Sequence, residues 1–386
     1  MTLSRDADYA HYLYTCNRCR SCTTNREQAN VIVCPSYDHL GYFSYSGGGK
    51  GYVAQGILEG KVKAGPEAAE VAMHCLLCHA CQTMCPPGFE LITVARQLRE
   101  WLVSRGIYGS AAHRRLLDNL RNSGNPWGLA PSKQITAEKL GLPARPGNAE
   151  AVLFLGCHSG FGKSSLENEL KIVTAARAKV MVMEDEPCCG SPALELGDQN
   201  LFRKIAKKTI QKLNDLGVEK VVTICPHCTS ALLNDYMEIG DLEPEVVHFS
   251  EWLLGLIDEG RLKLTKQASR LTATFQDSCH LTRYLEQGDV AREVLKQIDG
   301  LELVEMNRSV EAAFCCGGGS WADKVVPGLW RNTVRRRLRE AAKTRATELI
   351  VTCPYCESSF QKARPNKMKV TSLARLVARQ LTDYRQ

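Results

Sequence analysis

Two hydrophobic rhythms alternate along most of the chain. Short runs of consecutive apolar residues at 151 to 155 (AVLFL), 179 to 184, 220 to 224 and 245 to 249 have the length and β-branched content of buried strands. Between them lie stretches with apolar positions three or four apart, such as 201 to 216, which predict amphipathic helices. The same alternation returns at 271 to 276, 302 to 306, 348 to 352 and 368 to 371, with a helix over 328 to 346. Both series end alike, in a short apolar segment that runs into an amphipathic helix: "VVHFSEWLLGLI" and "KVTSLARLVARQL". Strands alternating with helices predict an α/β domain with a mainly parallel sheet, here made twice.

Length adds a further domain to this picture. With 386 residues the chain suggests two or three cores, and 44% hydrophobic with 24% charged residues is a globular composition. No stretch approaches the ~18 apolar residues of a membrane span, so membrane contact is expected only through a partner. The N-terminal "MTLSRDADYAHYLYTCNRC" has no apolar targeting core and no twin arginine. The expected location is the cytoplasm, where clustered cysteines bind metal or do redox chemistry.

Eighteen cysteines then organise the chain. Cys75, Cys78, Cys81 and Cys85 read C-x2-C-x2-C-x3-C-P, the bacterial ferredoxin spacing, in which three thiolates hold one [4Fe–4S] cubane and the fourth reaches another. Cys16, Cys19 and Cys22 open in the same way, but eleven residues separate Cys22 from Cys34 and its following Pro35. Crossed ligation tolerates that insertion, because the remote thiol need only arrive from the other half. Cys16, Cys19, Cys22 and Cys85 are therefore expected on one cubane, and Cys75, Cys78, Cys81 and Cys34 on the other. Two zinc sites are the alternative, although zinc favours ligands in two pairs around a tetrahedral ion.

The remaining ten cysteines form the repeat. Cys157, Cys188, Cys189, Cys225 and Cys228 match Cys279, Cys315, Cys316, Cys353 and Cys356. The single cysteine and the pair are separated by 30 and 35 residues, the pair and the C-P-x-C by 35 and 36. Neighbouring text matches too: "GCH" with "SCH", "CCGSP" with "CCGGG", "VVTICPHCTS" with "LIVTCPYCESS". Each cysteine group is expected beyond the end of a strand, on the sheet edge where parallel folds gather their ligands. Glycines after each pair suit a backbone that approaches a cluster closely, and helices starting there would present their dipoles to it. Vicinal disulfides or zinc ligation of the pairs remain the competing readings.

Other signals change little. "CHSGFGKS" (157 to 164) is one residue from a phosphate-binding loop, but its first required glycine is Cys157, and Lys163 reads as a surface or cluster-facing cation. "SYSGGGKG" (44 to 51) reads as a turn between the ferredoxin halves. The formal charge of +7 would fall to about −1 with four clusters at about −2 each, so basicity is no argument for nucleic acid. "WRNTVRRRLREAAKTRA" (330 to 346) is a dense basic run whose pattern suggests a solvated helix face, with docking of an acidic partner the other use. His158, His227 and His280 sit beside or within cysteine motifs, where they could hydrogen-bond sulfur or substrate, or simply cap and pack.

With these motifs in view, the repeat resembles the cysteine-rich CCG domain of the heterodisulfide reductase family, and residues 1–110 resemble the helical ferredoxin-type partner of that domain. Their union in one polypeptide is similar to the fused heterodisulfide reductases and their relatives in anaerobes. The resemblance implies an α+β multidomain protein: a helical ferredoxin-type 2×[4Fe–4S] module (1–110), a connector (111–148), and duplicated α/β CCG domains (149–262 and 263–386). It also implies four [4Fe–4S] clusters, two cubane and two noncubane, each noncubane cluster held by one complete five-cysteine set. The implied activity is reductive cleavage of a small-molecule disulfide between the noncubane clusters, with electrons from a flavin-containing partner in a larger complex. No flavin or nicotinamide fingerprint lies in the chain itself. An electron relay to a quinone or another subunit without disulfide chemistry, as in dehydrogenase or aromatic-ring-reducing (benzoyl-CoA reductase-type) complexes, is the second reading.

Overall fold

The computed structural model describes residues 13–25, 31–162, 165–265, 270–363 and 368–381; Lys163 lies outside them. Strands β1 Ala151–Phe154, β2 Val180–Met181, β3 Lys220–Thr223 and β4 Glu245–His248 pair in parallel in the order β2-β1-β3-β4. Strands β5 Leu271–Phe275, β6 Leu301–Leu303, β7 Glu348–Val351 and β8 Lys369–Ser372 repeat it as β6-β5-β7-β8. In both sheets the order reverses beside the first strand, which opens a crevice at the carboxyl ends of β1 and β3, and of β5 and β7. β2 and β6 are shorter than the apolar runs 179 to 184 and 302 to 306 suggest. After Met181 the Val182 N–H turns to Pro143 O (3.1 Å) instead of a strand neighbour.

The two sheets share a core. Leu153 and Val222 of one sheet and Phe275 and Ile350 of the other belong to one buried apolar cluster. Helices are exchanged across it: Glu167–Ala175 of the first copy packs on Leu373–Ala378 of the second, and Phe249–Asp258 packs on Val290–Lys296. Because the partners correspond in the repeat, the copies are related by an approximate two-fold axis.

The N-terminal module is helical. Helix Leu91–Val103 buries Leu91, Val94, Ala95, Leu98 and Leu102 against helices Gly47–Leu58 and Pro66–Met73. Here "SYSGGGKG" departs from the expected turn: it is the start of the helix Gly47–Leu58, capped by the Ser46 hydroxyl, which accepts from the Gly49 N–H. The glycines are packing residues in that helix. A Cβ on Gly49 would collide with Phe43 O, and one on Gly47 would come within 2.8 Å of Cys81 Sγ.

The connector is structured over much of its length. Helix Ala111–Ser123, capped by Ser110 and ended by a left-handed Gly124, buries Leu116, Leu117 and Leu120. Arg99 locks the module to both repeats. Only 1% exposed, it donates from Nε to Ala72 O (3.0 Å), from Nη2 to Cys75 O (2.6 Å), and from Nη1 to Glu195 O (2.5 Å) and Ser320 Oγ (2.9 Å). Arg283 of the second copy makes a similar reach, donating to Cys78 O at 2.7 Å and Ala313 O at 2.8 Å.

Candidate metal centre

In the N-terminal module the thiols gather as two groups of four. Burial pushes the Cys34 thiol up to about 11, and the neighbouring Cys75 and Cys78 act in the same direction, while Lys50 opposes them. Cys81 is raised by burial and then by Cys34, Cys75 and Cys78. On the other side Cys85 is raised by burial and then by its neighbours Cys19 and Cys16. Cys34 thus neighbours Cys75 and Cys78, Cys85 neighbours Cys16 and Cys19, and Cys22, between them, is raised by burial and then by both Cys34 and Cys16. Helix Gly47–Leu58 starts between the groups, with Gly47 against Cys81 and Gly48 facing Cys22 and Cys16.

Each repeat brings its five thiols to the crevice. Cys157 follows β1, Cys188 and Cys189 lie beyond β2, and Cys225 and Cys228 begin the helix after β3. Cys189 and Cys228 sulfurs are 3.3 Å apart, and side-chain contacts join Cys157 to Cys188, Cys188 to Cys189, and Cys225 to Cys228. In the second copy Cys316 and Cys356 are 3.2 Å apart, with Cys315 against Cys279 and Cys316, and Cys353 against Cys356. Cys315 and Cys316 reach the crevice through the longer segment 304–314 after β6. All eighteen cysteines are free thiols.

Two further sulfur contacts connect these groups. Cys225 meets Cys353, so the five-thiol sets touch across the two-fold axis. Cys78 meets Cys315, so the inner four-thiol group touches the second set. Hydrogen bonds from neighbouring thiols act against burial at Cys225 and bring it down to about 5; those from Cys188 and Cys228 lower Cys189 to about 7.

Around the axis stand aromatic and imidazole rings. The ring of His280 of the second copy lies tilted against that of His227 of the first with centres 3.8 Å apart, and His158 of the first meets Tyr355 of the second at 4.8 Å. His227 and Tyr355, which correspond in the repeat, lie 4.9 Å apart. His227 Nδ1 donates to Glu195 Oε1 at 2.8 Å, and its other ring nitrogen faces Cys353. Burial works against its charge, but Glu195 and the Cys353 sulfur outweigh burial and raise the imidazole to about 10. His280 goes the other way, held well below its usual range by burial and by the adjacent His227. Tyr355 Oη lies 3.6 Å from Cys157 Sγ, and Tyr236 Oη donates to Cys189 O at 2.9 Å.

This donor set suits iron–sulfur clusters. Thiolates are soft ligands, they occur in fours and fives on separate loops, and the backbone leaves them room: a Cβ on Gly156 would fall 2.9 Å from Cys228 Sγ. The buried Arg99, Arg283, Lys50 and His227 offset the negative charge that bound thiolates carry. The three histidines that flank the cysteine motifs all belong to this centre. Glu195, Tyr355, Arg99 and Arg283 belong to it as well, and none stands in a cysteine motif that singles it out except Tyr355, which occupies the x of C-P-x-C.

Comparison with known proteins agrees with the cysteine pattern. Residues 151–233 and 273–361 each match the family described as "Cysteine-rich domain", and 12–89 match "4Fe-4S dicluster domain". The chain is 30% identical over 305 residues to a subunit of the dihydromethanophenazine:CoB--CoM heterodisulfide reductase of Methanosarcina barkeri, covering 75% of this chain and 72% of the relative. It is 28% identical over 307 residues to the EtfAB:quinone oxidoreductase of Syntrophomonas wolfei, covering 75% of this chain and 43% of that longer protein. In fold it is similar to the crystal structure of a hypothetical protein from Helicobacter pylori (TM-score 0.57, 11% identity, 87% of this chain and 68% of the other).

Proposed function

The chain belongs to the family of fused heterodisulfide reductase subunits, which are iron–sulfur oxidoreductases, and on that premise we propose that it carries electrons through four clusters to a disulfide held between the two repeats. Cys16, Cys19, Cys22 and Cys85 would hold one cubane, and Cys34, Cys75, Cys78 and Cys81 the other. Cys157, Cys188, Cys189, Cys225 and Cys228 would hold one noncubane cluster, and Cys279, Cys315, Cys316, Cys353 and Cys356 its counterpart. Such clusters supply one-electron transfer, and two adjacent sites suit a reaction in which a disulfide takes up two electrons and two protons to give two thiols.

The supporting observation is the contact of Cys225 with Cys353, which sets two complete five-thiol sets side by side. The chain's own residues then serve the substrate. Glu195 fixes the His227 ring by its hydrogen bond to Nδ1, and the rings of His158, His280, Tyr355 and Trp321 exclude water from the axis. The electron source is a flavin-containing partner protein, and contact with a membrane comes only through a partner. No helix among the described residues is long and apolar enough to cross one.

A second reading, favoured by the quinone oxidoreductase relative, keeps the same route but ends at an acceptor protein or quinone without disulfide chemistry. Anaerobic iron and sulfide analysis should give about sixteen irons per chain. Thiol release from added disulfides by dye-reduced, fully loaded protein supports the first reading; full loading without thiol release supports the second.

A further inference from the structure

The basic run 330 to 346 is not simply a solvated face. It forms helix Pro327–Lys343, whose inner side buries Leu329, Thr333, Val334 and Arg337 and which lies across helix Pro35–Leu40 of the N-terminal module. Asp38 holds the two helices together through Arg336 and, at 3.0 Å, Asn332. Arg337 turns inward, where Nε donates to Gln276 Oε1 and Nη1 to Arg308 O and Glu340. That leaves Arg331, Arg335 and Arg339, exposed at successive helical turns, with no ion pair among the described residues. Spaced four residues apart, they form a stripe about 12 Å long.

With His39, Gly328 and Asn332 they line an open groove of about 590 Å³. One helix and one ring contact connect it to a thiol group. Helix Pro35–Leu40 begins at Cys34, and His39 stacks on His74 with ring centres 6.3 Å apart, His74 being the residue before Cys75. The arginines beside the outer group differ: Arg18 lies over the Tyr52 ring and Arg20 over that of Phe43, at 5.2 and 5.7 Å. Unpaired positive charge in a groove favours an acidic partner and speeds its encounter, and a position above a redox group favours an electron carrier.

We propose that this groove is the docking site of an acidic electron-carrier protein, which exchanges electrons with the Cys34, Cys75, Cys78 and Cys81 group. The proposal rests on the iron–sulfur assignment of that group and is independent of what the repeats reduce. One electron leaves the carrier's reduced cofactor and one arrives at the group; no bond or proton is exchanged.

The test uses the loaded full-length protein and an FMN flavodoxin with an acidic face. Oxidised flavodoxin is titrated calorimetrically at low and raised salt, and flavodoxin hydroquinone is the reductant in stopped flow. R331E/R335E/R339E should weaken binding about tenfold or more at low salt, flatten its salt dependence and slow electron transfer by a similar factor. The equally charge-reversed K204E/K207E/K208E, on another exposed helix, should bind as the parent does. Reduction by photoreduced deazaflavin should be unchanged in both, so that loss of clusters is distinguished from loss of docking. Parent-like binding by the arginine variant overturns the proposal. So does a larger effect of R18E/R20E, or arginine-dependent binding to phosphatidylglycerol vesicles or duplex DNA but not to flavodoxin. Thiol release driven by a small dye bypasses the groove, so failure of the docking site and failure of the disulfide reading are separable.

Discussion

Replacing Arg99 by methionine should loosen the joint between the N-terminal module and both repeats. Four acceptors lose their donor: the carbonyls of Ala72, Cys75 and Glu195 and the hydroxyl of Ser320. Each buried acceptor left alone costs about 1–3 kcal/mol, but the losses are not additive, and removing the guanidinium also removes its own burial penalty, which already lowers its pKa. A net cost of about 3–5 kcal/mol follows, less than the plain sum of four such losses. Cluster-bearing proteins seldom unfold in two states, so a single unfolding free energy is a poor readout. Anaerobic hydrogen exchange reads the local opening instead, and at about 1.4 kcal/mol per tenfold the amides of 91–103, 191–198 and 319–323 should exchange roughly a hundred- to four-thousandfold faster. Strand Glu348–Val351, which Arg99 does not touch, should change little. Lysine in its place keeps the charge without the planar fork and should fall between. Exchange within threefold of the parent at those segments, or equal acceleration everywhere, would refute the idea that Arg99 is the joint.

Gly49→Ala should disrupt the start of helix Gly47–Leu58 and cost the N-terminal module its iron, about half of the total, whereas Gly51→Ala, whose Cβ meets Phe89 at an ordinary 3.5 Å, should keep it; iron analysis decides. Gly319→Ala drives a Cβ into Leu76 O and should displace the loop beside Cys75, visible as faster air bleaching of the visible absorbance. Tyr355→Phe removes a hydroxyl 3.6 Å from Cys157 Sγ and should lower the reduction potential of the first five-thiol site, measured by an EPR-monitored titration; an unchanged or higher potential refutes a hydrogen bond to sulfur there. Cys228→Ser should abolish thiol release yet leave the second site reducible, while Cys356→Ser should leave the first site cut off from electrons entering at the N-terminal module, as freeze-quench EPR would reveal.

What could be read in the chain before its structure follows from the range of each signal. Ligand spacing and strand periodicity are local, so the two thiol groups, the five-thiol repeat and the eight strands were legible from short stretches of text. The crossed pairing of Cys34 with the second triplet is an expectation from ferredoxin spacing, and Cys34 lies near Cys75 and Cys78. "SYSGGGKG" misled for a physical reason: glycines usually mark turns by their backbone freedom, yet Gly47 and Gly49 are in a helix because neighbouring sulfur and carbonyl atoms leave no space for a Cβ. Arg99, Glu195 and Arg283 were invisible because their partners lie far away in sequence, between 24 and 221 residues for Arg99. Nothing in a local pattern marks an arginine on an amphipathic helix as buried.

The duplication looks symmetric in sequence, but the fold makes its halves unequal. Both five-thiol sets have the same strand order, and Cys225 with Cys353 lies close to the two-fold axis. The N-terminal module breaks that equivalence by presenting Cys78 to Cys315 alone, with Arg283 of the second copy gripping the Cys78 carbonyl. The axis itself is unequal too, since one copy supplies His227, hydrogen-bonded to Glu195, where the other supplies Tyr355. Under the proposed ligand sets, electrons reach the second site first and the first site only through the Cys353–Cys225 contact. A two-electron substrate on the axis would therefore meet one site that is filled directly from the module and one that is filled through its twin.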